Sequence, residues 1–226
     1  MLLSLNTCGN TASVALGLAE KNTVRIVATA ELAVRTYSAR LIPEIASLLE
    51  SKYATLRDVE AIVVVNGPGS FTGIRVGLST AKGLAEGAGI PLIALSRLAL
   101  LANASGLPHV LAAVDAGRGE FYAGEYQNGN SLGEMLLSGE ETLAAAKLPG
   151  ARVLVCESRS DDASTSACSA LAICGPVYVQ PPGAAEALRF SLRRFRAGDF
   201  DDLETLDANY LRRSDAEVLR AARAGK

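Results

Sequence analysis

The sequence has very few of the residues that build metal centres and hydrolytic sites. It contains one histidine, His109, and four cysteines with no Cys-x-x-Cys spacing. A metal site needs several converging ligands, so a site built on a histidine pair is excluded. Cys8, which follows the first predicted strand, would act as a nucleophile only with His109 as its base, whereas a lone cysteine in a turn is usually just a small residue. The sequence therefore favours neither a metalloenzyme nor a nucleophilic hydrolase.

An excess of basic charge is also lacking. The chain of 226 residues has 22 basic and 24 acidic side chains and a net charge of −2. A general attraction for nucleic acid is therefore not indicated. A local cluster of arginines is interpreted as a solvated helix face: Arg189, Arg193, Arg194 and Arg196.

Long apolar runs are absent as well. No run approaches the ~18 residues that a membrane-spanning helix needs. The segment Met1–Asn6 is typical of a strand and lacks the basic start of a signal peptide. We therefore expect a cytoplasmic protein without membrane contact, long enough for one large domain or two small lobes.

The most informative stretch is a glycine-rich turn at residues 66–75, Asn-Gly-Pro-Gly-Ser-Phe-Thr-Gly-Ile-Arg. It follows an apolar run, Ala61–Val65, and precedes a helical pattern that continues to about Glu86. No lysine follows, so the turn is not a Walker A loop, and Thr72 stands where a dinucleotide-binding fingerprint needs its third glycine. Ser70 and Thr72 are candidates for the N-cap of the helix.

Small residues recur along the helix that follows this turn. They form two neighbouring rows: Gly73, Gly77, Ala81 and Ala85 in the first, and Ser79, Gly83 and Gly87 in the second. Glycine inside a helix costs about 1 kcal/mol relative to alanine, so a tight contact should offset the loss. One row is expected to pack on a sheet of the chain itself, and the other leaves a face for a partner helix.

The helix predicted over Ser38–Tyr53 is expected to border the same surface. Its apolar residues recur at the spacing of one helix face. We therefore predict a helical interface that is open to a homologous partner. The predicted interface residues are Leu41, Ile45, Gly73, Arg75, Gly77 and Ala81.

A hairpin pattern stands at the head of each half of the chain. Strand, polar residue, small-residue turn and returning strand follow one another in Leu2–Leu18 and again in Val110–Tyr126. Two lobes on one plan, each with a phosphate-loop hairpin, are typical of the α/β actin-like ATPase (ASKHA, ribonuclease H-like) fold, in which helices flank mixed sheets. We predict an N-terminal lobe at residues 1–106, a C-terminal lobe at 107–206 and a tail at 207–226 that packs back on the first lobe.

In this fold a nucleotide lies between the lobes, with its phosphates on the hairpin backbones and its Mg²⁺ on nearby carboxylates. Asn6 stands where the first hairpin would need a carboxylate, whereas the second hairpin has Asp115. Asp115 and Gly117 are therefore candidate nucleotide contacts, and capping of its own turn is an equal interpretation of Asp115. One carboxylate instead of two argues against an efficient ATPase.

These stretches resemble the TsaB (YeaZ) family. Four motifs carry the resemblance: Gly67-Pro68-Gly69-Ser70-Phe71-Thr72-Gly73-Ile74-Arg75, the opening Leu5-Asn6-Thr7, Asp115-Ala116-Gly117-Arg118-Gly119-Glu120, and Tyr210-Leu211-Arg212. The resemblance covers residues 1–126 and the stretch near 207–213, and it is loose between residues 127 and 188.

The resemblance implies a non-catalytic role in forming N6-threonylcarbamoyladenosine at position 37 of tRNAs that read codons beginning with A. It implies a complex with TsaD, the homologue that carries metal-binding histidines and the transfer chemistry, and with the ATPase TsaE, while TsaC supplies threonylcarbamoyl-adenylate. Alone, such a chain would form homodimers through the helical surface that it offers TsaD. It would bind no cofactor tightly by itself, would admit ATP or ADP at the interface of the complex, and would reach tRNA through the complex.

Two residues depart from the family pattern. Asn6 stands where the family usually has Asp, and Tyr37-Ser38 stands where many members have His-Ser or His-Thr at the head of the first helix. Both departures weaken a nucleotide or metal role and leave the interface role untouched. The alternatives are a glycoprotease-type peptidase, a stand-alone actin-like ATPase or sugar kinase, and a dimeric scaffold unrelated to tRNA.

Overall fold

The computed structural model of the chain describes residues 1–9, 11–33, 37–147, 152–158 and 167–212. Its strands are β1 Leu2–Asn6, β2 Thr11–Ala19, β3 Val24–Ala33, β4 Ala61–Gly67, β5 Leu92–Ser96, β6 His109–Gly117, β7 Glu120–Gln127, β8 Asn130–Ser138, β9 Val153–Glu157 and β10 Val177–Val179. Its α-helices are α1 Tyr37–Glu50, α2 Phe71–Ala88, α3 Arg97–Ala104, α4 Gly139–Lys147 and α5 Ala184–Ala197. Two short 3-10 helices span Leu56–Asp58 and Ala167–Cys174.

The first sheet has the strand order β3-β2-β1-β4-β5. Strands β1, β2 and β3 pair antiparallel, whereas β1, β4 and β5 pair parallel. The central strands are buried along almost their whole length. Consecutive apolar residues at 61–65 fit this position, because a central parallel strand is covered on both faces.

The second sheet repeats the plan of the first. Its strand order is β10-β9-β6-β7-β8, so β6, β7 and β8 correspond to β1, β2 and β3, and β9 and β10 correspond to β4 and β5. The antiparallel hairpin and the parallel partner of its first strand also recur. The prediction of two lobes that each begin with a hairpin is confirmed. Strand β8 and helix α4 lie in the stretch from 127 to 188, over which the family resemblance is loose.

Two helices cross from one half of the chain to the sheet of the other. Leu98 and Leu101 of α3 pack with Val110 of the second sheet. Ala187 and Leu188 of α5 pack in the core on one face of the first sheet. The division predicted near residue 106 therefore separates the two sheets but not their helices. In particular, residues 184–197 do not belong to a self-contained lobe at 107–206, because their apolar stripe covers β1 and β4.

The opposite face of the first sheet carries α1 and α2. Leu41 and Ile45 of α1 and Ala81 of α2 share one core with Leu3 and Leu5 of β1. Beyond α5, the chain returns along the first sheet: Asp201 forms an isolated bridge with Leu92. No helix among the described residues has the length and apolar character needed to cross a membrane.

Candidate functional site

The glycine-rich turn between β4 and α2 is packed against the end of β1. Gly67 and Gly69 have positive φ angles of 121° and 158°, and the Gly67–Pro68 peptide bond is cis. A Cβ atom at Gly69 would lie 2.2 Å from the carbonyl oxygen of Cys8. The same carbonyl accepts a hydrogen bond of 3.0 Å from the backbone N–H of Ser70. This part of the turn therefore binds the chain's own first hairpin.

Helix α2 begins directly after the turn. The hydroxyl oxygen of Ser70 accepts a hydrogen bond of 3.2 Å from the N–H of Gly73, so Ser70 is the N-cap, as predicted. Thr72 lies inside the first turn of the helix and is exposed, so the prediction of Thr72 as a cap is wrong. The cap fixes where α2 starts and which of its faces meets the sheet.

The first row of small residues on α2 faces β1. The hydroxyl of Thr7 donates a hydrogen bond of 2.6 Å to the carbonyl of Gly73. A Cβ atom at Gly77 would lie 2.2 Å from that hydroxyl oxygen. Close approach to the sheet therefore explains these two glycines within the chain itself.

Most of the predicted interface residues are buried in the chain's own core. Leu41 is 1% exposed, Ile45 is 3% exposed and Ala81 is fully buried. Gly73 and Gly77 are buried as well. The prediction that these five residues contact a partner is therefore wrong, because the apolar stripe of an amphipathic helix packs on the nearest sheet. Arg75 is the exposed member of the predicted set.

The outward faces of α1 and α2 carry a different set of small and apolar residues. Ile42 is 59% exposed. Cβ atoms at Gly83 and Gly87 would meet nothing within 4 Å. We call the exposed set the α1–α2 face: Ala39, Ile42, Pro43, Ala46, Ser79, Gly83 and Gly87. In the sequence, the second row of small residues on α2, Ser79, Gly83 and Gly87, indicates this face. Ile42 lies next to Leu41, which was predicted for the interface but is buried.

Arg75 joins α2 to the returning chain. Its guanidinium carbon lies 3.8 Å from the centroid of the Phe71 ring. Its Nε donates a hydrogen bond of 2.9 Å to the hydroxyl of Tyr210. The two rings lie 5.2 Å apart between centroids. Part of the Tyr210-Leu211-Arg212 motif is thus explained by contact with the glycine-turn motif.

The returning segment crosses from the first sheet to the second. The N–H of Asn209 donates to the carbonyl of Asn66 at 2.9 Å, and its side-chain amide donates to Glu134 of β8 at 2.6 Å. Arg212 then pairs with Glu120 of β7. The predicted tail thus contacts both lobes over residues 207–212, and residues 213–226 lie outside the described part of the chain.

A cleft of about 430 Å³ opens where the glycine turn, the second hairpin and the returning segment meet. Its walls include Pro68, Phe71, Arg118, Tyr122 and Tyr210. Three aromatic rings and the Arg118 cation make this cleft amphipathic.

The candidate nucleotide contacts lie on the second hairpin. The carboxylate of Asp115 accepts a hydrogen bond of 2.8 Å from the N–H of Gly117, which has a φ of 75°. Asp115 is exposed, so the carboxylate caps its own turn at the surface. This geometry matches the turn-capping interpretation of Asp115.

Asn6, at the corresponding end of β1, is engaged on both sides of its amide. Its Nδ2 donates to the carbonyl of Pro182 at 2.9 Å, and its Oδ1 accepts from the N–H of Cys8 at 3.1 Å. The side chain is buried, with 6% exposure. A carboxylate could accept from Cys8 but could not donate to Pro182, so this environment favours asparagine over aspartate.

Arg97 connects the first hairpin to the second sheet. It forms a two-pronged ion pair with Glu157, at 2.8 Å from Nε and 2.5 Å from Nη2. Its Nη1 donates to the carbonyl of Cys8 at 3.2 Å. Both side chains of the pair are only 12–13% exposed. The lobes are therefore joined by a nearly buried, bidentate charge pair at the end of β9.

The two groups of the alternative Cys–His dyad are engaged elsewhere. The Cys8 thiol donates to the carbonyl of Val65 at 3.1 Å, and burial raises its pKa to about 12 despite the nearby Arg97. The Nε2 of His109 lies 2.9 Å from Glu125. The interpretation of Cys8 and His109 as a catalytic dyad is therefore wrong. The described residues hold no cluster of three or more His, Cys, Asp or Glu that could bind a metal.

Comparison with known proteins gives a consistent result. The sequence model of the family described as TsaD, tRNA N6-adenosine threonylcarbamoyltransferase, matches residues 28–165. The chain is 37% identical over 150 residues to the tRNA threonylcarbamoyladenosine biosynthesis protein TsaB of Escherichia coli, a match over 65% of this chain and 62% of that protein. It is 41% identical over 126 residues to the TsaB of Haemophilus influenzae, over 54% and 51% respectively. The matched region thus spans between about half and three fifths of these relatives.

A solved structure matches over a longer range. YeaZ from Pseudomonas aeruginosa superimposes with a TM-score of 0.73 at 27% identity, covering 93% of this chain and 99% of that one. This match and the repeated sheets confirm the predicted actin-like ATPase fold. Because the family model covers more than half of the chain and the TsaB and YeaZ matches agree with it, the chain belongs to the family of threonylcarbamoyladenosine proteins that this model describes, in its TsaB (YeaZ) group.

Proposed function

We propose that this chain is a non-catalytic subunit of a TsaD-containing complex that forms N6-threonylcarbamoyladenosine at position 37 of tRNAs reading codons that begin with A. The names of its curated relatives support the pathway. The observation that carries the subunit role is the α1–α2 face, where Ile42 is 59% exposed beside helical glycines with open space above them. An exposed apolar helix face of this kind is typical of a docking surface.

A non-catalytic role agrees with how the chain uses its polar groups. Asn6 is bound to Pro182 and Cys8, Asp115 caps its turn, and the pKa of the Cys8 thiol is far above neutrality. A peptidase needs an activated nucleophile or a metal, and the described residues do not bring either together. An ATPase needs carboxylates that hold Mg²⁺, whereas Asn6 is not a carboxylate and one carboxylate oxygen of Asp115 caps its own turn.

The partner expected on the α1–α2 face is TsaD, and in its absence a second copy of this chain. Glycines at positions 83 and 87 allow a partner helix to approach closely, because no side chain stands between the two backbones. We further propose that TsaE joins this complex and that ATP or ADP binds at the joint interface rather than tightly to this chain. Under this proposal Asp115 and Gly117 would contact such a nucleotide only within the complex.

Substitution of Ile42 tests the docking surface. Ile42→Asp and Gly83→Leu should each abolish co-purification with TsaD, because the first places a charge and the second places bulk in the interface. Leu132→Asp on β8 is the matched control, since Leu132 is 58% exposed on the second sheet. Unimpaired TsaD capture by both face variants would contradict the proposed interface.

The function itself is tested in a strain depleted of this protein. Mass spectrometry of tRNA nucleosides should show loss of threonylcarbamoyladenosine, restored by the wild-type chain and by Leu132→Asp but not by Ile42→Asp. An unchanged level of the modified nucleoside after depletion would overturn the proposal. Protease activity with added zinc, or ATP turnover by the lone chain, would favour the alternatives.

A further inference from the structure

The arginine cluster on α5 lines a cleft that is larger than the one beside the glycine turn. Arg189, Arg193 and Arg196 follow one another at spacings of four and three residues, so they form one stripe on the helix side that faces away from the first sheet. All three residues line a cleft of about 830 Å³. The sequence alone favours a solvated surface for this cluster, because helical spacing does not indicate what faces the helix.

The walls that face α5 offer amide groups from both lobes. Asn128 lies in the turn between β7 and β8, Asn130 and Ser131 begin β8, and Asn22 lies in the turn between β2 and β3 of the first sheet. Among the described residues, the side-chain amides of Asn22, Asn128 and Asn130 make no hydrogen bond within the chain. The cleft thus combines guanidinium cations with open amide donors and acceptors.

The four arginines of the cleft are matched in number by four carboxylates, those of Glu134, Glu186, Asp199 and Asp201, but the ion pairs are distributed unevenly. Arg194 is neutralised by Asp199 and Asp201, and Arg189 forms an exposed pair with Glu186. Arg196 donates to a carbonyl oxygen, that of Glu20, and not to a carboxylate.

Arg193 is exposed and has no ion-pair partner within the described part of the chain. The acid in the lining, Glu134, has its two oxygens bound by Tyr126 and Asn209. The guanidinium groups of Arg193 and Arg196 are therefore not ion-paired within the described residues, although the pKa of Asp199 is lowered by Arg194 and further by Arg193.

We propose that this cleft binds the phosphodiester backbone of RNA, so that the chain itself contacts the tRNA. This inference rests on the proposed function, which makes tRNA the substrate of the complex. Guanidinium groups bind phosphate oxygens in a forked geometry, and amides pair with the 2′-hydroxyl groups that distinguish RNA. The stripe extends about 10 Å along the helix, which suits about two successive phosphates.

Fluorescence anisotropy with a labelled, unmodified tRNA transcript and the full chain tests this site. The double variant Arg193→Glu/Arg196→Glu should bind at least about tenfold more weakly, and its salt dependence should be shallower by about two phosphate contacts. The matched control is Lys52→Glu/Arg57→Glu, which changes the net charge equally at exposed positions on the α1 side of the first sheet. Arg193→Glu alone, at a side chain without an ion-pair partner in the described residues, should show part of the loss even if the double variant folds poorly.

Equal weakening by the control variant would overturn the site, because binding would then follow net charge alone. Absence of tRNA binding by the wild-type chain would overturn it as well. The arginine variants should still capture TsaD, so failure of this inference is distinguishable from failure of the docking surface. A chain that keeps its tRNA affinity in both arginine variants would leave the proposed function standing and reject the cleft.

Discussion

The hydroxyl of Thr7 occupies the space that a Cβ atom of residue 77 would need. An ideal Cβ on Gly77 would stand 2.2 Å from Thr7 Oγ1, and this hydroxyl donates to the carbonyl of Gly73. The Thr7 side chain after β1 is therefore in direct contact with the backbone of the first turns of α2, which leaves no room for a larger residue at position 77. The position of the glycine turn depends on this contact, because Ser70 at the head of α2 also binds Cys8.

Gly77→Ala should destabilise the chain by about 1–3 kcal/mol, even though alanine favours helix formation more than glycine. The added methyl group must displace Thr7 and break its hydrogen bond to Gly73. Urea unfolding followed by circular dichroism measures the free energy of unfolding. A Gly77→Ala variant as stable as wild type would contradict the contact.

Gly83→Ala, on the same helix, should change the free energy of unfolding in the opposite direction. A Cβ atom at residue 83 would meet nothing within 4 Å, so the change should stabilise the chain by about 0.5–1 kcal/mol through helix propensity. The same unfolding measurement applies. A loss of stability here would show that the outward face of α2 is not free in the isolated chain.

The two glycines also show what the sequence could and could not predict. The recurrence of small residues indicated a tight contact on α2, and this part is confirmed for Gly77. The pattern could not indicate which row meets the sheet, because that depends on the pairing of β1 with β4 and on the Ser70 cap. The interface was therefore predicted on the buried row, whereas the exposed row contains Gly83 and Gly87.

The sequence predicted the hairpins, whose strands are close along the chain, better than the packing of helices on distant strands. Each hairpin is formed by residues close in sequence, so its repeat was readable at Leu2–Leu18 and at Val110–Tyr126. The crossing of α3 and α5 was not predictable, because an amphipathic helix carries no sign of which sheet it covers. The cleft beside α5 was missed for the same reason, since its second wall belongs to β7 and β8.

Asn6→Asp tests why this chain departs from the family pattern. The new carboxylate would face the carbonyl oxygen of Pro182, now 2.9 Å from the amide nitrogen, and would lose a hydrogen bond in a buried site. We expect a loss of about 1–3 kcal/mol at neutral pH. The loss should be smaller near about pH 4, where a protonated carboxyl group can donate to the carbonyl. Stability equal to wild type at both pH values would contradict this account.

The ion pair between Arg97 and Glu157 should be a strong link between the lobes. Arg97→Leu should cost about 3 kcal/mol, because Glu157 would keep a charge in a site that is only 12–13% exposed. The double variant Arg97→Leu/Glu157→Leu should recover part of this loss, since it removes both charges. A double-mutant cycle from urea unfolding gives the coupling. Simple addition of the two single losses would show that the pair is not coupled.

Cys8 should resist alkylation in the folded chain. Burial raises the pKa of its thiol to about 12, so almost no thiolate is present at neutral pH. Cys174 is partly exposed and should react with iodoacetamide before Cys8 does. Peptide mass spectrometry should find Cys8 labelled only after unfolding in urea. Labelling of Cys8 as fast as Cys174 in the native chain would contradict the buried, hydrogen-bonded thiol.

The same thiol should make the free energy of unfolding depend on pH in alkali. Its pKa rises from 9.0 in the reference state to about 12 in the folded chain, so the folded chain keeps a proton that the unfolded chain releases. The contribution of Cys8 is therefore complete below pH 9 and is lost as the pH rises toward 12. The Cys8→Ala variant has no thiol at this position and therefore lacks this pH-dependent contribution to the free energy of unfolding. Any contribution from Tyr126 is the same in the variant and in the wild type. The stability advantage of wild type over Cys8→Ala should shrink across this range, and parallel stability curves for the two proteins would exclude the shifted thiol.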